Sequence, residues 1–300
     1  MHVYARSGVR RRFRCSVPLV KFWLPLMFER TEQFVDVAVA AEELGYEGIA
    51  LADHLVIPEA FASVHPSGEP MVLASSAFPD PFVMTAAMAT ATSRLRFMSY
   101  VYILPMRDPF SVAKQVATAS LVSSGRVVMG VGAGWLREEF QAMGHDPATR
   151  GRRMDEMLEV IADFWDDGWA EHHGEFYDFP RCSMLPAPAH DIPVWVGGKS
   201  EAALRRALRH DGWLGMNYGL DEVDVLLARL RAIRDTAKDT RAGFEVFVIP
   251  NALPSPDLYA DLEGKGVTST LAFAWAPGDP AFDSIEAKRD AMAAFAGQFL

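Results

Sequence analysis

The chain has 300 residues, half of them apolar and 23% charged, and carries a net charge of −10 at pH 7. That balance fits a globular protein with a large buried core and speaks against nucleic-acid binding, which needs concentrated positive surface. No apolar run approaches the roughly 20 residues needed to cross a bilayer, and the two cysteines, Cys15 and Cys182, form neither a disulfide framework nor a metal-ligand spacing, so a reducing cytoplasm is the expected compartment.

The first 16 residues hold Arg10, Arg11, Arg12 and Arg14. The following stretch Val17–Met27 is interrupted by Lys21 and two prolines and lacks a small-residue cleavage site, so it reads as the first strand rather than as a signal peptide. Residues 1–16 are expected to be a poorly ordered basic extension, and 17–300 a single domain.

Short apolar runs then alternate with amphipathic segments. Val17–Leu24 reads as a strand, and Thr31–Leu44 as a helix stopped by Gly45. Gly48–Ala52 is a second strand, and the Pro-, Gly- and Ser-rich residues Pro58–Pro79 a long loop. Pro81–Thr92 is helical with proline in its first turn. Leu95–Val101 is the third strand, Pro109–Ser123 a helix, and Val127–Val131 the fourth strand, followed by a short helix at Glu138–Met143 and a long one at Arg150–Asp167. Trp169–Met184, rich in aromatics, breaks the pattern as a hairpin or excursion. Strands Pro193–Val196, Gly212–Gly215, Phe244–Ile249 and Val267–Phe273 alternate with helices Glu201–Arg209, Val223–Lys238, a short stretch near Asp257–Leu262, and Ile285–Phe299.

Eight strands alternating with eight helical segments, the short Glu138–Met143 being counted with the long helix after it, predict a parallel sheet wrapped by helices. The count and length suit a (β/α)8 TIM barrel, with a doubly wound open sheet as the alternative. In a barrel, ligands meet the carboxyl ends of the strands. The second strand ends in Ala52-Asp53-His54, and His54 is the histidine placed at a strand end, suited to proton transfer near neutral pH. The third ends in Ser99-Tyr100-Val101-Tyr102, small and aromatic residues able to line a planar ligand. The fourth runs into Gly130, Gly132 and Gly134 before Trp135, a bare backbone open to close approach; the spacing is not the G-x-G-x-x-G of dinucleotide-binding folds. The fifth ends in Gly197-Gly198-Lys199-Ser200 ahead of a helix, a turn suited to a phosphate. No His-x-His, H-E-x-x-H or Gly-x-Ser-x-Gly occurs, so neither a catalytic metal nor a nucleophile elbow is expected.

Taken together, Ala41–His54, Leu104–Lys114, Gly125–Trp135 with Leu136-Arg137-Glu138-Glu139-Phe140, Pro193–Ser200 and Asp211-Gly212-Trp213 resemble the bacterial luciferase-like superfamily of flavin- and deazaflavin-dependent oxidoreductases. The resemblance implies a TIM barrel with an insertion after the fourth helix, and a cofactor lying across its carboxyl mouth. It implies that His54 approaches the ring edge as the catalytic residue. It further implies that Asp53, a kinked and often cis peptide within Ser99, Tyr100 and Val101, and the turn Gly132 to Trp135 bound the ring, while Gly197, Gly198 and Ser200 hold its phosphate. The deazaflavin F420 is the first choice of cofactor, implying hydride transfer to or from a small organic substrate. An FMN-dependent monooxygenase and a non-catalytic flavin-binding or packing subunit are the alternatives. A homodimer through the second and third helices follows from the same resemblance. The segments Pro58–Pro79 and Trp169–Pro188 are expected to cover the substrate. Pro58 and Trp135 replace residues of the sugar-phosphate dehydrogenase branch, which disfavours that substrate, and Ser120 stands where many relatives have Asp.

Overall fold

The protein is described from a computed structural model, over residues 20–66, 72–236 and 243–300. The expected basic extension and the first three residues of the first predicted strand lie outside these.

Eight parallel staves close into a barrel. In chain order they are β1 (Lys21–Leu26), β2 (Gly48–Leu51), a third stave split into β3 (Arg96–Ser99) and β4 (Tyr102–Ile103), and β5 (Val127–Gly132). After the antiparallel hairpin β6 (Trp169–His173) and β7 (Asp178–Ser183) come β8 (Val194–Gly197), β9 (Gly212–Tyr218), β10 (Glu245–Pro250) and β11 (Ser269–Leu271). Pairing of β1 with β11 and of β3 with β5 closes the ring, as the barrel reading predicts and an open sheet forbids.

The helices are α1 (Phe34–Leu44), α2 (Pro81–Thr90), α3 (Pro109–Val122), α4 (Arg137–Ala142), α5 (Arg150–Asp167), α6 (Glu201–Ala207), α7 (Leu220–Thr236), α8 (Pro256–Gly264) and α9 (Ile285–Phe299). Their ends follow local chemistry. Asp80 and Asp108 each precede a proline and accept hydrogen bonds from the first free N–H groups of α2 and α3. Gly45 ends α1 in the left-handed region at φ 88°.

Every stave sends a side chain into the barrel: Trp23, Ala50, Met98, Val128, Trp195, Leu214, Phe247 and Leu271. The opposite faces of the strands pack outward against the helices in two further apolar layers. Strands buried on both faces read as continuous apolar runs, which is why they were visible in the sequence. β9 runs three residues beyond its predicted end, because its pairing with β10 resumes after a shift through Asn217↔Ile249 and Tyr218↔Pro250.

The third stave is kinked. From Met98↔Val128 to Tyr102↔Val131 it takes four steps while β5 takes three, so one residue is extruded. The extra residue lies in Ser99–Val101, where the Tyr100–Val101 peptide is cis.

The hairpin β6–β7 is the expected excursion, but it contributes nothing to the barrel mouth. It leaves the carboxyl end of α5 and leads back to the start of β8, so it belongs to the amino-terminal face. There Phe179 packs on Phe164 and Phe110, and Glu156 of α5 accepts N–H bonds from Glu175, Phe176 and Tyr177 in the hairpin turn. The expectation that Trp169–Pro188 covers the substrate is therefore corrected: a connection from helix to strand lies at the wrong end of the barrel.

Candidate functional site

A cavity of about 520 Å³ opens at the carboxyl ends of the staves. It gathers His54 from the end of β2, Tyr100 and Val101 from the kink, Gly132 and Trp135 from the end of β5, and Gly197, Gly198 and Ser200 from the end of β8. These places lie far apart in sequence and meet because the parallel staves all end on one rim.

His54 is largely buried, its Nδ1 lying 2.7 Å from the Glu139 carboxylate. Its ring stands edge-on to Phe78 at 5.0 Å and to Trp135 at 5.9 Å. Trp135 also meets Phe61 and His65 edge to face, so an aromatic wall rises beside His54. Burial, with His54 nearby as the lesser cause, lowers the pKa of His65 and favours its neutral form.

Asp53 reaches the cavity but its oxygens are engaged. One lies 2.7 Å from Arg107 Nη2, and the other accepts from Ile103 N at 3.0 Å. Burial pushes this carboxyl up, while Arg107 and the Ile103 N–H oppose it. Arg107 also lies over the Tyr102 ring at 3.9 Å. Asp53 thus braces the far side of the kink, the segment that resumes the third stave.

Within the kink the three expected residues separate. Ser99 is buried and does not line the cavity; its hydroxyl donates to Gly130 O at 2.8 Å. Tyr100 turns inward, donates its hydroxyl to Gly215 O and packs against Phe247 at 5.1 Å. Burial holds its pKa well above the ordinary tyrosine value, so it stays a donor. Val101 forms cavity floor.

The glycines in and just after β5 prove to make room chiefly for the chain itself. A methyl group on Gly130 would lie 2.0 Å from Ser99 O, and one on Gly132 2.6 Å from Val101 Cγ2. Gly134, at φ 81°, faces Ile103 and Phe140 just as closely. The expectation that bare backbone here serves ligand approach is refined: β5 gives up side chains so that the extruded residue of its neighbour fits. Gly197 faces Val101 from the other side, with a methyl position 3.1 Å from Val101 Cγ1.

At the opposite end of the cavity, Gly198 takes φ 123° and Ser200 Oγ caps α6 through Ala203 N at 3.2 Å. Lys199 turns away to Glu222. The cations near this turn are instead Arg150 and Arg206, which line the cavity beside Gly151. Arg206 is clamped by both oxygens of Asp155 at 2.7 Å, and Arg150 donates to Pro147 O. The end is therefore anion-compatible within an acidic chain. Arg150, Arg206 and Glu139 escaped sequence reading because none stands at a predicted strand end, the place of Arg150 at the start of a long helix being the one signal for them; Met216 and Asn217 directly follow the predicted end of the sixth strand at Gly215, a strand end that was not read for site residues.

The residues fit a flat ring with an anionic arm: an apolar floor at Val101, an aromatic wall at Trp135, a histidine at one edge, and a glycine turn flanked by arginines at the far end.

Residues 21–255 match the luciferase-like monooxygenase family. An uncharacterized protein of Mycobacterium tuberculosis is 39% identical over 241 residues, covering 79% of this chain and 83% of that protein. Among solved structures, the coenzyme F420-dependent tetrahydromethanopterin reductase of Methanopyrus kandleri aligns with a TM-score of 0.67 at 16% identity, over 94% of this chain and 98% of its own. The oxygenating constituent of 3,6-diketocamphane monooxygenase of Pseudomonas putida, in complex with FMN, aligns at 0.59 with 18% identity, over 76% and 66%. At these identities the structural likenesses establish the barrel alone.

Proposed function

This chain belongs to the luciferase-like monooxygenase family, and we propose that it is an oxidoreductase whose barrel mouth holds the deazaflavin F420 and serves hydride transfer to or from a small, partly apolar organic substrate. The observation that carries this reading is the single cavity joining His54, the Tyr100–Val101 kink and the Gly197–Ser200 turn.

When bound, the deazaflavin supplies two-electron hydride chemistry; the protein supplies orientation and electrostatics. Val101 supports the ring face, with Tyr100 holding the kink in place through its bond to Gly215 O. Gly198, Ser200 and Arg150 receive the phosphate. His54 would exchange a proton with the substrate at the ring edge. Asp53 acts through the third stave by bracing Ile103 and Arg107. The residues described in the long loop before α2 place His65, Val72 and Phe78 over the mouth, where they exclude water.

The substrate end of the cavity is apolar. Phe28, His65, Val72, Phe78, Trp135 and Phe273 line it, while Asp53 in its lining and Glu139 behind His54 are committed to internal bonds. A neutral substrate suits such a wall better than an anion.

A second reading, an FMN-dependent monooxygenase, is favoured by the FMN held on the same scaffold in the Pseudomonas enzyme. Titrating the cofactor-free protein with each coenzyme separates the two. Micromolar or tighter F420 binding with weak FMN binding is expected; the reverse order replaces F420 by FMN and hydride transfer by oxygen chemistry. Binding of neither overturns both.

A further inference from the structure

Glu139 has no solvent-exposed surface, yet it is a carboxylate beside a cavity. Three donors converge on it. Oε2 lies 2.7 Å from His54 Nδ1, and Oε1 accepts from Leu55 N at 2.7 Å and Val56 N at 3.2 Å. An ionised carboxylate only accepts hydrogen bonds, whereas a protonated one would have to aim its hydrogen at a group that already donates or at the imidazole. With both backbone N–H groups committed to Oε1, Oε2 is left to accept, and a proton on Nδ1 completes that contact.

We infer that Glu139 is the positioning residue of the site: it holds neutral His54 in the tautomer protonated on Nδ1, leaving Nε2 as the lone-pair nitrogen of a ring that lines the cavity. The same carboxylate ties down Leu55 and Val56, so the ring's orientation and the path of the chain leaving β2 are set by one side chain. Phe78 and Trp135 restrict the ring's remaining freedom from two sides. The other titratable groups near the ring do not compete for Nδ1: Asp53 is engaged by Arg107 and Ile103 N, and His65 lies across Trp135. The use of His54 on a substrate rests on the function proposed above; its tautomer does not.

The test is long-range proton–nitrogen correlation NMR on the full chain without coenzyme, labelled with nitrogen-15 histidine. His54 is assigned by the signal lost in His54→Gln, and the spectrum is read at a pH where the ring is neutral. The wild type is expected to show a protonated Nδ1 and a bare Nε2. In Glu139→Gln, Leu55 N and Val56 N claim the amide oxygen and leave the amide N–H facing Nδ1, so the proton moves to Nε2. That inversion is expected together with a loss of turnover of about a hundredfold or more and a change in coenzyme affinity below about threefold. Glu139→Asp keeps an acceptor and is expected to keep the wild-type tautomer. A proton on Nε2 in the wild type overturns the inference whether or not either variant folds, as does an unchanged tautomer in a folded Glu139→Gln protein. Failure of both coenzymes to bind would instead overturn the proposed function and leave the tautomer assignment standing.

Discussion

Val101 is held between two glycines, Gly132 of β5 and Gly197 of β8, and this sets what single substitutions do. A methyl at Gly132 meets Val101 Cγ2 at 2.6 Å, and a β-branched side chain has no flexible end to yield. Gly132→Ala is expected to displace the cavity floor and weaken coenzyme binding by about tenfold, about 1.4 kcal/mol. Val101→Ala should relieve the clash, so the double variant binds better than Gly132→Ala alone. Equilibrium titration of the four proteins measures the coupling, and purely additive losses would show that the two residues do not meet. Gly130 is stricter, because what approaches it is the Ser99 carbonyl, which has nowhere to go. The glycine spacing was legible in the sequence, but its purpose was not. A one-residue difference between neighbouring staves is a property of register, and register does not show in either strand read alone. The same holds for Glu139: it stands 85 positions from His54, and nothing local marks one of two adjacent glutamates as the buried one.

At the level of elements, boundaries written in local chemistry were legible: the Asp-Pro starts of α2 and α3, the glycine that stops α1, and the whole of α5. The short helix α4 was visible too, but its work was not. Glu138 accepts N–H bonds from Ala62 and Ser63, and Glu139 from Leu55 and Val56, so six residues fasten the loop that follows β2. Glu42, in the last turn of α1, does the same for the approach to β3, accepting from Ser93 N at 2.9 Å and Leu95 N at 2.7 Å. Burial raises its pKa, but the N–H bonds from Arg94, Leu95 and Ser93 outweigh it and bring it from 4.5 to about 2. A folded-state pKa below the unfolded value means that the folded form binds the proton more weakly. The stability this carboxylate contributes is therefore complete above pH 4.5 and lost as pH falls toward about 2. Glu42→Gln should cost about 1–2 kcal/mol at neutral pH, the scale of partly solvated charge-assisted bonds. Urea denaturation at stepped pH should show wild type and variant converging across that acid window; a constant difference would refute the assignment. The hairpin gives a contrasting expectation. Phe179→Ala removes the ring stacked on Phe164 and should cost about 3 kcal/mol while leaving coenzyme affinity unchanged, since the hairpin lies at the other face. Altered affinity would contradict that separation.

For the whole molecule, the barrel closes where β1 meets β11, joining the two ends of the described chain. Eight staves alone do not say what holds that seam at the mouth, where Phe28 and Phe273 face the cavity from opposite sides of it. A buried polar cluster lies behind them. Lys288 of α9, 1% exposed, places Nζ 2.8 Å from Glu29 and 2.6 Å from Gln33 Oε1, and Trp275 Nε1 donates to Glu29 at 2.7 Å. The residue following Phe28 is thus bound both to the last helix and to the segment after β11, and α9 also packs through Phe295 on Tyr46, just beyond the end of α1. Ions so enclosed add little net stability as a pair, because desolvation offsets their attraction; removing one partner leaves the other unmatched. Lys288→Met should therefore lower stability by about 3–5 kcal/mol, and adding Glu29→Gln should recover part of the loss, because the stranded carboxylate is gone. Denaturant titrations of the three proteins give these numbers. Since the cluster stands behind Phe28 rather than in the cavity, Lys288→Met should also weaken coenzyme binding less than Gly132→Ala does. A single variant as stable as wild type would mean that packing of α9 alone secures the seam.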